Sequence, residues 1–191
     1  MRSVLDGGLI KSATVTTPNV AIEEKITERG YIILRLPEME SIEILVSAFG
    51  FTSITFPTPS VADQTFKHNV RLHPLATVSL DKGILYIPAV KVSEELFTAT
   101  LNQEADSQQM IFTLENYSPI QQIQPIKNEA TFFLDTGVLS IPNVEIIDEG
   151  NDISHQHYRV EMQLVPHPNS LRFSLTKAEP LLDGENHASN L

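Results

Sequence analysis

Ala76-Thr77-Val78-Ser79-Leu80-Asp81-Lys82-Gly83-Ile84-Leu85-Tyr86-Ile87-Pro88-Ala89-Val90-Lys91-Val92 returns 54 residues later as Ala130-Thr131-Phe132-Phe133-Leu134-Asp135-Thr136-Gly137-Val138-Leu139-Ser140-Ile141-Pro142-Asn143-Val144-Glu145-Ile146. Nine of the 17 aligned positions are identical, and three more exchange one apolar residue for another: Val78/Phe132, Ile84/Val138 and Val92/Ile146. Self-similarity at a fixed period has to be recognised before any fold is argued. Here the repeated unit reads as strand. Asp-x-Gly between two apolar runs marks a tight hairpin, with Asp capping the turn and Gly taking the positive φ that other residues resist. The strand that follows meets Pro88 or Pro142, which has no N–H to give a central ladder. Apolar parity also changes there, from Leu85/Ile87 to Val90/Val92, so the strand must bend or bulge at the proline.

The correspondence resumes downstream at an offset of 61, where Phe97, Ala99 and Leu101 fall on Tyr158, Val160 and Met162. Met110, Phe112 and Leu114 then fall on Leu171, Phe173 and Leu175, and Pro119-Ile120 on Pro180-Leu181. The second copy therefore carries seven extra residues around 147–157. Tyr158, Val160, Met162 and Leu164 alternate with Arg159, Glu161 and Gln163, the period of a strand with one buried face. Whether residues 13–51 form a degenerate third copy is left open, because Arg35 stands where the pattern wants Met162. There Pro18-Asn19-Val20-Ala21-Ile22 echoes Pro142 to Ile146, while Tyr31/Ile33 and Ile44/Val46/Ala48 echo the third and fourth strands.

The expected fold is all-β: an antiparallel β-sandwich, or packed β-meanders, built from two or three units of roughly fifty residues. A four-stranded meander with one apolar face cannot stand alone and must pack on a neighbour. The segments are an amino-terminal β region at 1–65, one repeat at 70–121, a second at 127–182, and a disordered tail at 183–191. Helix is expected only as a turn or two over Ala21–Arg29. The strands at 42–46 and 49–56 are read as core, with a subunit-pairing edge as the alternative.

The Leu-Asp-x-Gly-(Val/Ile)-Leu-x-Ile-Pro-x-Val pattern resembles a short all-β repeat of exported bacterial proteins of unknown function. The resemblance covers residues 76–120 and 130–181. It implies a structural unit and a setting outside the cell, and it brings no site residue.

Composition narrows the function. The net charge of −11 repels a phosphate backbone, and no basic cluster overrides it, so nucleic-acid binding is not expected. The absence of cysteine removes disulfides, thiolate metal sites and cysteine nucleophiles together. Met1 to Gly8 has no apolar stretch of signal-peptide length. The protein is thus expected in the cytoplasm if Met1 is the native start, and outside the cell or on its surface if a leader has been removed. The longest uncharged run, Ile44 to Ala62, is broken by Gly50, Pro57, Pro59 and several hydroxyls, so no transmembrane segment is expected.

The segment with most chemistry is the insertion: Asp148, Glu149, Gly150, Asn151, Asp152, Ile153, Ser154, His155, Gln156 and His157. His155 and His157, two apart entering a strand, face one way and with Asp152 resemble a metal set. Asp148, Glu149, Asn151 and Asp152 offer oxygens of the kind calcium takes. The spacing matches no known binding loop, and acidic loops between strands are ordinarily solvated, so no metal or cofactor is assigned. His68, His73, His167 and His187 lie in connectors or the tail and read as surface residues. Gly-x-Ser-x-Gly, His-Glu-x-x-His and phosphate-binding glycine loops are all missing. Paired carboxylates on separate strands leave no local signature, but without tryptophan a glycan-cleaving groove lacks its usual platform. Asn116-Tyr117-Ser118 fits a glycosylation acceptor, is followed by Pro119, and is given no weight.

No catalytic residue is assigned, and an enzyme is not expected. The expected function is a structural or assembly role, through self-association or a protein partner. The alternative is a module binding a glycan or peptide through the 147–157 loop.

Overall fold

The structure, a computed structural model, describes residues 1–18, 20–28, 31–37, 39–60, 65–105, 109–121, 124–147 and 156–181. Its strands are β1 (Arg2–Ser3), β2 (Thr14–Thr16), β3 (Glu24–Glu28), β4 (Tyr31–Arg35), β5 (Met39–Ser47), β6 (Ile54–Ser60), β7 (Arg71–Leu72), β8 (Ala76–Ser79), β9 (Ile84–Val92), β10 (Glu95–Gln103), β11 (Ile111–Pro119), β12 (Ala130–Phe133), β13 (Val138–Ile147), β14 (His157–Val165) and β15 (Arg172–Pro180). The fold is all-β. Residues 24–28, inside the stretch where a helical turn is expected, form β3 and pair with β4, Ile26 opposite Ile33. A nine-residue helix is marginal in isolation, and a neighbouring strand satisfies the same backbone groups at once.

In place of a sandwich or side-by-side meanders, the sheet closes on itself. Going round the ring, the strands are β9, β10, β11, β15, β14, β13 and β12, and β12 returns to β9. β8 lies against β9 on one side and β13 on the other. The reason lies in unequal strand lengths. β8 has four residues and β9 nine, so their hairpin spans only Ile84–Tyr86 and leaves the far half of β9 unpaired on that side. β12 fills that edge in parallel, Ala130 opposite Val90, and β8 fills the edge of β13 in the same way, Ala76 opposite Val144. These two pairings are parallel in an otherwise antiparallel sheet. A register shift falls at each strand proline: Pro88–Ala89 lie opposite the shift between Phe97 and Ala99, and Pro142–Asn143 lie within the shift between Ile141 and Val144.

Ile87, Leu101, Ile141 and Met162 are the largest fully buried side chains of the barrel, joined by Phe112, Leu139 and Phe173. The amino-terminal strands form a separate layer with its own core of Val15, Ile42, Ile44, Val46, Ala48 and Leu72. In it β5 is the central strand, between β2 and β6, so the 42–46 stretch is core; β6 is an edge and carries Pro57 and Pro59. β1 runs parallel to β7. β4 pairs with β3, and β5 with β2 and β6. Among the described residues no helix is long and apolar enough to cross a membrane. The 183–191 tail and residues 148–155 lie outside the described residues.

Candidate functional site

Layer and barrel meet through the turn at 48–52 and the segment 72–75. Thr52 N donates to His73 O at 2.8 Å, Leu75 N donates to Gly50 O at 2.8 Å, and Phe51 bridges to Pro74. Gly50, held at φ 72 where a side chain is strained, turns its N–H toward the barrel. There the amide donates to Glu145 Oε2 at 2.7 Å. Glu145 is buried, directly opposite His157 on β14 and Thr77 on β8. His157 Nδ1 lies 2.9 Å from the Oδ1 of buried Asn143. A buried carboxylate needs hydrogen-bond donors, and a backbone amide of the docking turn is one of them.

Between the two parts opens a cleft of about 590 Å³. Leu9, Phe49 and Tyr86 line it and are all unusually exposed for large apolar or aromatic side chains. Asp6 also lines it, with its Oδ1 accepting from Gly8 N at 2.8 Å. Burial, and then the Asp6 charge, push the Tyr86 phenol above its ordinary value, so the hydroxyl is neutral and able to donate. The Ser3 Oγ in the wall accepts from Leu5 N at 3.1 Å. Among the described residues no histidine lines this cleft; its charged side chains are Asp6 and Lys11.

A second polar cluster sits where β11 meets β15. Glu104 accepts from Thr113 Oγ1 at 2.6 Å and forms an ion pair with Arg172. The hydroxyl, then the guanidinium, hold the Glu104 carboxyl below its usual range.

Of the insertion, only Gln156 and His157 are among the described residues; Asp148, Glu149, Asn151, Asp152 and His155 are outside them. His157 is brought to Asn143 and Glu145. Among the described residues no three His, Asp or Glu side chains are grouped to hold a metal ion. His68 stacks on Phe56 with ring centroids 4.8 Å apart, and His167 Nδ1 lies 2.8 Å from Ser170 Oγ. His73 Nδ1 accepts from Lys127 N at 3.1 Å, and burial, then the Lys127 charge, lower its pKa. His187 lies outside the described residues. The cleft residues were not singled out by the sequence, since they come from four separate segments. Glu145 did carry a signal: Asn143, Glu145 and His157 stand where the first copy has Ala89, Lys91 and Leu96.

No family model matches this chain, no curated protein matches it in sequence, and no solved structure matches its fold.

Proposed function

We propose that this protein is a non-catalytic association module, a duplicated β-unit closed into a barrel and carrying a layer that receives another protein chain. Equal strand registers in the two halves support the duplication: Thr77–Tyr86 and Val78–Leu85 pair as Thr131–Ser140 and Phe132–Leu139 do, 54 residues later. The observation that carries the association reading is the cleft at the junction. Three exposed large side chains gathered on one concavity suit an apolar partner segment far better than solvent. Absolute mass by light scattering after size exclusion, over a hundredfold concentration range, tests it. Growth above 21.3 kDa, or a stable complex with a retained partner, supports the reading. A monomer at every concentration that also retains no partner sinks it.

A second reading, a glycan- or peptide-binding module working through 147–157, is favoured by the part-buried Asn143–His157 contact at the start of β14. Replacing Asp152, His155 and His157 together then abolishes ligand-dependent stabilisation. Unchanged stabilisation removes this reading.

A further inference from the structure

The β3–β4 hairpin is a two-stranded sheet on the surface of the amino-terminal layer. Its inner face sends Ile32 and Leu34 against the layer's core. Its outer face presents Tyr31 at 56%, Ile33 at 52% and Ile26 at 43% exposure, with Ile26 and Ile33 directly paired. On the same face as its paired residue Leu34, Lys25 of β3 reaches Val15 O through Nζ at 3.3 Å. The outer edge of β4 has no strand partner among the described residues. A strand edge with unpaired N–H and C=O groups and an apolar face is a template for another strand.

Two features of this chain say what takes that edge. One is charge. Residues 1–71 hold seven basic and eight acidic side chains, a net of −1, whereas residues 72–191 hold six and sixteen, a net of −10. Two copies meeting barrel to barrel bring their acidic halves together, and two meeting through the amino-terminal layers do not. The other is the strand itself, which is self-complementary when run antiparallel to its own copy. With Ile33 opposite Ile33 of a second copy, Tyr31 stands opposite Arg35 of that copy, and the reverse. The Tyr31 ring already takes a cation, with Lys67 Nζ 5.3 Å from its centroid. The four isoleucines at positions 26 and 33 then form one continuous row.

Resting on the association reading above, we propose that β4 is the self-association edge: two copies pair antiparallel through Tyr31–Arg35 about a two-fold axis at Ile33, giving a four-stranded sheet. A five-residue edge buries less than the roughly 1,200 Å² typical of stable interfaces, so the dimer is weak and forms by mass action. Screening the charge of the barrels with salt strengthens it.

The test is light scattering on the full chain at low and high salt, comparing wild type with Ile33→Asp and Ile26→Asp. An exposed barrel control, Tyr117→Asp, is run beside them, and circular dichroism checks that each variant is folded. The expected result is a wild-type mass rising from 21.3 kDa toward twice that value, more steeply in salt. The Tyr117 control follows it, and both isoleucine variants stay monomeric. Wild type that associates while folded Ile33→Asp and Ile26→Asp associate equally overturns the hairpin assignment and leaves the association reading standing. Wild type that never exceeds the monomer overturns the β4 dimer, and the self-association arm of that reading with it.

Discussion

Phe112 and Phe173 stand directly opposite each other where β11 meets β15, at positions 61 residues apart. Their neighbours exchange: Ile111 faces Ser174 and Thr113 faces Arg172. The same exchange governs the parallel pairings, where Ala76 meets Val144 and Ala130 meets Val90. On the opposite side His73 and Lys127, 54 apart, meet through the Lys127 N to His73 Nδ1 bond. Shifting residues by the two offsets carries each of these contacts either onto itself or onto another of the set.

Neither half can close without the other, because the first strand of each is held along the second strand of its counterpart. The barrel is therefore expected to unfold in urea as one cooperative transition. Truncating equivalent core residues, Leu85→Ala and Leu139→Ala, is expected to cost about 2–5 kcal/mol each, with both shifting that one transition. Two separable transitions, each moved by only one of the variants, would falsify the shared barrel.

Gly83 and Gly137 close the two Asp-x-Gly turns at φ 63 and 69. A Cβ on Gly83 would sit 3.2 Å from Gln103 Cβ, and one on Gly137 3.1 Å from Gln163 Nε2 and 3.2 Å from Leu164 Cβ. Gly7 shares the conformation, at φ 70, with nothing within 4 Å of that position. Alanine at residue 7 thus meets only the backbone penalty, about 1–2 kcal/mol. At 83 and 137 crowding adds to it, so those two variants should have the lower denaturation midpoints. Equal midpoints for all three would mean that the neighbours give way freely.

Glu104 links stability to pH. The Thr113 hydroxyl and then Arg172 hold its folded-state pKa below the ordinary 4.5. A depressed carboxyl contributes stability that is present above the unfolded value and lost as pH falls from there through the folded one. Glu104→Gln should therefore flatten the fall in denaturation midpoint below pH 4.5 while leaving the pH dependence from 6 to 8 unchanged. The comparison is a urea titration at half-unit steps, and an acid limb of unaltered slope removes Glu104 as its cause.

The hairpins, the proline bends and the inward-facing residues were legible because each is local. Asp-x-Gly marks the turn, the proline coincides with the parity change, and Ile87/Ile141 and Leu101/Met162 recur at fixed offsets. Closure was not legible, since it depends on which strand fills the far edge of β9 and β13, a choice between segments whose paired residues lie 40 and 68 positions apart in the chain. The one local hint was the mismatch between a four-residue and a nine-residue strand. The cleft stayed hidden for the same reason: Leu9, Phe49 and Tyr86 share no spacing and meet only when the layer docks. The helical expectation at 21–29 failed because β4 supplies a strand partner within a few residues.

That docking has a determinant which can be removed. The two halves of the barrel offer the layer equivalent positions, yet it takes the one built from Pro74, Leu75, Tyr86 and Glu145; the counterparts are Asn128, Glu129, Ser140 and Lys91. Apolar residues and a buried acceptor on one side, against polar residues and an ammonium on the other, specify the choice. Glu145→Ala takes the acceptor from Gly50 N and should cost about 1–3 kcal/mol, the range for a buried donor left unpaired. Glu145→Lys should cost more, because it also buries a charge beside an N–H that cannot accept from it. The readout is amide hydrogen exchange. In both variants Gly50, Thr52 and Leu75, whose N–H groups cross the junction, lose protection, while Leu114 and Leu175 of the distant wall keep theirs. Loss of protection in both places at once would mean that Glu145 supports the barrel as a whole, and that the layer is held by its apolar contacts alone.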